Sequence, residues 1–320
     1  MGAATMDQLE TILILMKLPG VGPARLRRAM GALCEAQVPI EEAFSESGRR
    51  LLANLGLSVS SRQSATETIA DRLRSDGVHC FVYPFHDMTL PEFVRAHLPP
   101  VLFVRGPAEL LSARSVGFCG SRSATERGLG VAADIAEQVA LHKLNVVSGG
   151  AKGVDATAHR TALSRGGTTT VVLAQGILEY RMRQDLRDVF DPTRTLLVSE
   201  FFPDDRWMAG RAMQRNRTIC ALSRALVLIE ARSTGGTFAA GEAALAMGVP
   251  LFTADYSSQH ESNDGNRILL ERGAVRLRQS RSTGRANLIQ LLELVRQREP
   301  GSAGRATSTS GSEQQYLFHR

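Results

Sequence analysis

The chain has 320 residues, of which 43% are hydrophobic and 22% charged, with a formal net charge of +6. That composition excludes a disulfide-stapled miniprotein and a disordered chain, and it allows one large core or two unequal domains. The longest apolar runs, such as Ala225–Ile229, are strand-sized and too short to span a bilayer, and the N-terminus has no basic stretch ahead of an apolar segment that would mark a secretory signal.

Residues 1–75 read as helical. Leu9, Ile12, Leu13 and Met16 recur near the helical period, as do Leu51, Leu52 and Leu55. Between them lies Leu18-Pro19-Gly20-Val21-Gly22-Pro23-Ala24-Arg25. It reads as a glycine-bearing hairpin with a second helix opening at Pro23, a small SAM-like or helix-hairpin-helix-like domain. Such a turn lets backbone N–H groups approach a phosphate, with Arg25, Arg27 and Arg28 adding charge. It can equally be a bundle turn that keeps its glycines for geometry.

Residues 76–298 alternate strand-like and helix-like stretches. Strands are expected at 101–104, 115–119, 145–148, 168–173, 196–199, 225–229 and 250–253. Several are continuously apolar, as a parallel sheet covered on both faces requires. Helices are expected at 126–141, 155–164, 181–189, 211–222 and 238–247. The repeated order predicts an α/β fold with a doubly wound, mainly parallel, Rossmann-like sheet whose ligand site lies at the strand C-termini. Residues 299–320, rich in Ser, Thr and Gly, read as a disordered tail.

Four loops should meet at that edge. In the first, Gly120 permits a tight turn, Ser121 and the following amides can donate to an oxyanion, and Arg122 can pair with a phosphate. The spacing of a dinucleotide fingerprint is absent, so no cofactor is expected. The second, Ser148-Gly149-Gly150-Ala151-Lys152-Gly153-Val154-Asp155, forms an anion nest around Lys152, ahead of a helix that Asp155 could cap; His159, one turn into that helix, is expected in a capping or core role ahead of acid–base work. The third is Arg215-Asn216-Arg217. Arginines two apart cannot share one helical face, so at least one should point at the sheet edge. Trp207, the only tryptophan, precedes it beside Phe201 and Phe202, as either a core plug or a stacking surface for an unpaired base. The fourth, Gly235-Gly236-Thr237, opens a helix carrying Glu242 and is also suited to phosphate.

The charge is unevenly placed. Residues 1–98 hold 10 Lys/Arg and 11 Asp/Glu, whereas residues 99–298 hold 26 and 19. An anionic partner therefore belongs to the middle of the chain. Cys34, Cys80, Cys119 and Cys220 lie far apart with no CxxC pair, so no metal site or disulfide framework is expected and a reduced, cytoplasmic setting is. No nucleophile elbow, HExxH or paired metal spacing appears. Several anion nests without a nucleophile point to a polyanion binder and not to an enzyme.

In this order the pieces resemble the DprA/Smf family (DNA-processing protein A). The residues that carry the resemblance are Tyr83-Pro84, the segment from Leu98 to Gly106, Gly120-Ser121-Arg122, Ser148-Gly149-Gly150-Ala151 with Gly153-Val154-Asp155 and His159, Ser199-Glu200, Arg215-Asn216-Arg217, and Gly265-Asn266 with Gly273-Ala274. The resemblance implies a single-stranded DNA-binding protein that protects incoming strands in natural transformation, helps load the RecA recombinase and forms a homodimer. It implies that Arg122, Lys152, Arg215 and Arg217 take phosphates, helped by the backbone at Ser121, Gly149 and Gly150. Gly235-Gly236-Thr237 departs from the family pattern and looks more like the LOG-type phosphoribohydrolases. The alternative expectation is therefore a nucleotide-binding or nucleotide-hydrolysing enzyme with Glu242 as its acid–base group.

Overall fold

The computed structural model describes residues 7–57, 64–83, 97–256, 263–280 and 282–297. The tail expected from residue 299, and Pro84 of the Tyr-Pro pair, lie outside the described residues.

Four helices open the chain: α1 (Gln8–Lys17), α2 (Pro23–Glu35), α3 (Glu46–Asn54) and α4 (Ser64–Ser75). The turn between the first two forms as the glycines and Pro23 require. Gly20 takes a φ of 71°, and Gly22 precedes Pro23 at the first position of α2.

The rest is built on a nine-stranded sheet in the order β1-β2-β6-β5-β4-β3-β7-β8-β9. The strands are β1 (His79–Val82), β2 (Val101–Arg105), β3 (Ser115–Gly120), β4 (Asn145–Ser148), β5 (Thr169–Val172), β6 (Thr195–Ser199), β7 (Ala225–Ile229), β8 (Leu251–Ala254) and β9 (Val275–Leu277). From β6 through β9 every pairing is parallel; β2 runs antiparallel to both β1 and β6. The seven expected strands are present, and the sheet is doubly wound and mainly parallel. The strands β1 and β9 are additions. Each is short and only partly buried, so neither has the continuous apolar run that marks β7.

Alternate residues of each strand feed opposite faces. Leu226 and Leu228 pack with Val147 and Ile219 on one face, whereas Val227 and Ile229 pack with Val116, Phe118 and Phe252 on the other. Helices α7 (Ala209–Ala221), α8 (Gly236–Ala246) and α9 (Asp264–Glu271) cover the first face. Helices α5 (Glu126–Leu141), α6 (Val154–Ser164) and α10 (Ile289–Gln297) cover the second. The N-terminal helices contribute Leu13, Met30 and Leu33 to a core shared with Phe103, Val171 and Leu197 of the sheet.

Two local expectations are corrected. No α-helix spans 181–189; the segment holds a 3-10 turn at Gln184–Leu186, and another precedes it at Ile177–Glu179. Its charges are committed in other ways: Arg183 pairs with Asp185 at 2.6 Å within the segment, and Asp188 takes both terminal guanidinium nitrogens of Arg160 from α6. Asp155 does not cap α6. The N-cap is Gly153, and the Asp155 carboxylate accepts a hydrogen bond from the Ala151 amide at 3.2 Å.

The direction of winding fixes where a ligand fits. From β3 the chain steps through β4, β5 and β6 to one side, then returns to β7 on the other side of β3 and continues to β8 and β9. The order reverses between β3 and β7, so their following loops splay apart and leave a crevice beyond the strand ends.

Candidate functional site

A cleft of about 430 Å³ lies at that crevice. The loop after β3 lines it with Gly120, Ser121 and Arg122; the loop after β7 does so with Glu230, Arg232, Thr234, Gly236 and Thr237; α7 adds Met213, Arg215 and Asn216. The second loop adds Ala151 and Asp155, so all four loops read from the sequence meet at the cleft. Its nest around Lys152 also closes on the first loop. Gly153, at φ 75°, packs on the Ser121 and Arg122 carbonyls, and the Val154 amide donates to Ser121 O at 3.3 Å. A side chain at residue 153 would strike those carbonyls, so glycine is needed for contact as well as for φ.

Arg215 and Arg217 separate as their spacing requires. Arg215 is only 5% exposed and turns inward to the sheet edge, whereas Arg217 is exposed. The Arg215 guanidinium lies flat against Gly149, where any Cβ would overlap it. Its Nη1 is 3.9 Å from an Asp155 carboxylate oxygen, and its Nε has no hydrogen-bond partner among the described residues. A pair this long offsets burial incompletely: burial pushes the Asp155 carboxyl upward, against the pull of Arg215 and of the Ala151 amide. Burial also drives His159 down to about 3, with Arg215 adding to the effect, so the imidazole is neutral. Its Nδ1 meets the Thr169 hydroxyl at 2.7 Å, which is the core role expected of it. Glu200 is pushed up to about 7 by burial, opposed by the Thr218 hydroxyl, which donates to it at 3.0 Å, and by Arg215.

At the other wall, Glu230 ends β7 at φ 47°, a left-handed conformation unusual for glutamate. Its carboxylate accepts from the Thr125 amide at 2.9 Å and from the Thr125 hydroxyl, at the N-terminus of α5. That charge is thereby spent inside the fold. Asn266, on the neighbouring α9, accepts from the Ala231 amide at 2.7 Å and donates to Ala254 O at 3.0 Å, which ties the ends of β7 and β8 together.

The balance of the mouth is positive. Arg122, Lys152, Arg217 and Arg232 are exposed, and no carboxylate pairs with any of them among the described residues. The Arg122 guanidinium lies over the Trp207 ring, 5.5 Å from its centroid. Ser148 is buried beneath, donating to Phe118 O at 2.8 Å, and Gly149 and Gly150 lie behind Arg215; none of the three lines the cleft. Asn216 donates to Gly236 O at 3.1 Å and so joins the third loop to the fourth, while Gly235 supplies the N-cap of α8. Glu242 is exposed, pairs with Arg272 and does not line the cleft. No cluster of metal ligands occurs among the described residues.

The sequence reading assigned no role to Glu230 or Arg232, quoted Glu200 only within the Ser199-Glu200 pair of the family resemblance, and took Asp155 for a cap. Glu230 had a legible signal, an acid closing the apolar run Ala225–Ile229 at a strand end. The pairing of Glu200 and Asp155 with Arg215 was not legible, because Arg215 arrives from elsewhere in the chain. In the N-terminal turn, Arg27 donates to Leu98 O and stacks over Tyr83, and Arg25 approaches Gly20 O at 3.5 Å. Those two arginines serve the fold.

Comparison with known proteins agrees with this architecture. Residues 82–285 match the family model described as DNA recombination-mediator protein A. A DprA-type DNA processing protein of Mycobacterium tuberculosis is 35% identical over 181 residues, which are 56% of this chain and 46% of that protein. The chain thus spans about half the length of that curated relative. Among solved structures, DNA processing protein A of Streptococcus pneumoniae superposes with a TM-score of 0.67 at 22% identity, covering 83% of this chain and 94% of that one. DNA processing protein A of Helicobacter pylori, whose structure concerns a single-stranded DNA binding mode, gives 0.54 at 22% identity, covering 68% and 94%.

Proposed function

The chain belongs to the family of DNA recombination-mediator protein A, and on that premise we propose that it is a cytoplasmic, non-enzymatic protein that binds single-stranded DNA in the cleft between β3 and β7. Protection of incoming strands during natural transformation, delivery of the strand to the RecA recombinase and action as a homodimer belong to the same proposal. The observation that carries it is a crevice lined by Arg122 and Arg232, with Lys152 and Arg217 exposed on the adjoining loop and helix, and none of the four with a carboxylate partner among the described residues. Phosphates supply that missing counter-charge, and the amides at Gly236–Thr237, at the N-terminus of α8, suit their oxygens, whereas the Ser121 amide is already given to Ile229 O. The H. pylori relative's recorded single-stranded DNA binding supports the choice of polyanion.

Arg215 has a supporting role in this reading. It is a buried cation whose Nε is still free to donate, positioned behind the turn that Arg122 opens. A nucleotide-hydrolysing enzyme is the weaker reading, because Glu242 is held by Arg272 away from the cleft and Glu230 is tied to Thr125. Fluorescence anisotropy with labelled single- and double-stranded oligonucleotides at two salt concentrations tests the proposal. Tighter binding of the single strand, weakened by salt, is expected. Equal binding of both forms, or binding indifferent to salt, contradicts it.

A further inference from the structure

On the face of the sheet opposite α7 and α8, a second pocket of about 380 Å³ opens between α5, the ends of β8 and β9, and the turn at 284–286. It shares no lining residue with the cleft between β3 and β7. The turn is pinned to α5 as a strut. Arg285 pairs with Asp134 at 2.5 Å and with Glu137 at 2.6 Å, the Ala286 amide donates to Asp134 at 2.6 Å, and Gln138 donates to Ala286 O at 3.0 Å. Gly130, which lines the pocket, keeps room beside that strut. It lies inside α5, where glycine destabilises a helix, yet its φ is not left-handed and a Cβ there would meet no atom within 4 Å. Helix packing does not require glycine at this position; the open space does.

The lining combines two kinds of surface. Val131, Ile135 and Leu277 form an apolar floor. Arg127 stacks over the Tyr256 ring, 5.4 Å from its centroid, and closes one side. The Asp134 carboxylate is engaged by Arg285 and the Asp255 carboxylate by Arg276 and Arg278. Arg127, by contrast, is exposed, and no carboxylate pairs with it among the described residues. The Tyr256 hydroxyl is buried without a hydrogen-bond partner among the described residues, and so has a bond to give.

We propose that this pocket is a second binding site, for a nucleoside monophosphate whose base lies on the apolar floor and whose phosphate is held by Arg127. Its chemistry selects that class. A floor of aliphatic side chains closed by an aromatic ring suits a flat apolar body, and the volume is that of a small-molecule pocket. The uncommitted guanidinium calls for an anion, and phosphate meets it through two parallel hydrogen bonds. Spare lone pairs on the Asp134 and Asp255 carboxylates accept from N–H and O–H groups of a base and sugar, which a simple aryl or fatty acid does not carry. The site stands apart from the DNA-binding cleft, so the proposal does not depend on that reading.

Equilibrium dialysis of the full chain against dAMP, with deoxyadenosine and inorganic phosphate as controls, tests it. dAMP should bind with a Kd below about 1 mM, and each control at least about tenfold more weakly. Arg127→Ala should weaken dAMP about 10- to 150-fold, the range for a lost hydrogen bond to a charged group. Gly130→Leu should abolish binding while its urea midpoint stays at or above that of the wild type. Arg122→Ala, in the other cleft, should leave dAMP affinity unchanged. Absence of dAMP binding to the wild type, or phosphate binding as tightly as dAMP, refutes the site. A loss in Arg122→Ala with none in Arg127→Ala assigns the nucleotide to the cleft between β3 and β7 and overturns the proposal. Should Gly130→Leu not fold, the contrast between Arg127→Ala and Arg122→Ala decides.

Discussion

Arg215 has three neighbours that depend on it: Gly149, on which it lies, Asp155, whose carboxylate is buried beside it, and Glu200, whose ionisation it favours. Replacing Arg215 by Ala leaves the buried Asp155 carboxylate without its counter-charge. We expect a loss of about 3 kcal/mol in urea unfolding, the scale for removing one partner of a buried pair. Arg217→Ala, on the exposed side of the same helix, should leave stability within about 0.5 kcal/mol while weakening DNA binding. This contrast was half legible in the sequence. The spacing of Arg215 and Arg217 required them to diverge, but which one turned inward depended on Gly149, distant in the chain and able to admit a guanidinium because it has no side chain. Glu200 gives a pH test. Its carboxyl titrates near 7 in the folded chain and near 4.3 in an unfolded one, so the folded state holds this proton more tightly. The group's contribution to stability is full below about pH 4 and declines as pH rises to 7. Glu200→Gln should remove that decline and stabilise the chain at pH 8, by at most about 4 kcal/mol. A stability profile for Glu200→Gln parallel to that of the wild type from pH 4 to 8 would contradict the assignment.

At the scale of elements, the central strands were legible because they are buried on both faces and apolar throughout. Phe118 shows how strongly that packing acts. It is fully buried at the centre of β3, against Ala132, Ile135 and Ala136 of α5. Phe118→Ala should cost about 3–5 kcal/mol, read from the urea midpoint. The edges were not legible. The strand β1 carries His79 at an exposed position and β9 carries Arg276, so their pairing with the sheet depends on neighbours supplied by the fold. The misplaced helix at 181–189 fails for a related reason: its acidic groups are taken by Arg183 and Arg160 in a tight local turn. The glycine nests were legible as turns, and the structure adds that one turn presses on another. Gly153→Ala introduces a Cβ at φ 75° that meets the Ser121 and Arg122 carbonyls. It should cost on the order of 1–3 kcal/mol and lower DNA affinity by displacing Arg122.

At the scale of the molecule, the fold brings residues from 120 to 237 to one place through a single topological fact, the reversal of strand order between β3 and β7. The sequence could place each loop after a strand, and so at the same edge, but not choose which strands would be neighbours. Ser148 and Gly150 consequently stand behind the cleft, while Ser121, Asn216 and Thr237 line it. Of the basic residues over 99–298, Arg122, Arg215 and Arg232 line a crevice whose carboxylates are occupied within the fold, and Lys152 and Arg217 are exposed on the loop and helix beside it. The central claim is that those cations neutralise the phosphates of a single strand. The measurement that tests it most directly is the salt dependence of dT oligonucleotide affinity for the wild type and for a variant with Arg122, Lys152 and Arg217 all replaced by Ala. About four phosphate contacts predict a log–log slope near −3 for the wild type, and loss of three of them predicts a slope of about −0.7 with much weaker binding at low salt. A variant that binds as tightly as the wild type, with the same slope, would place the strand somewhere other than this cleft.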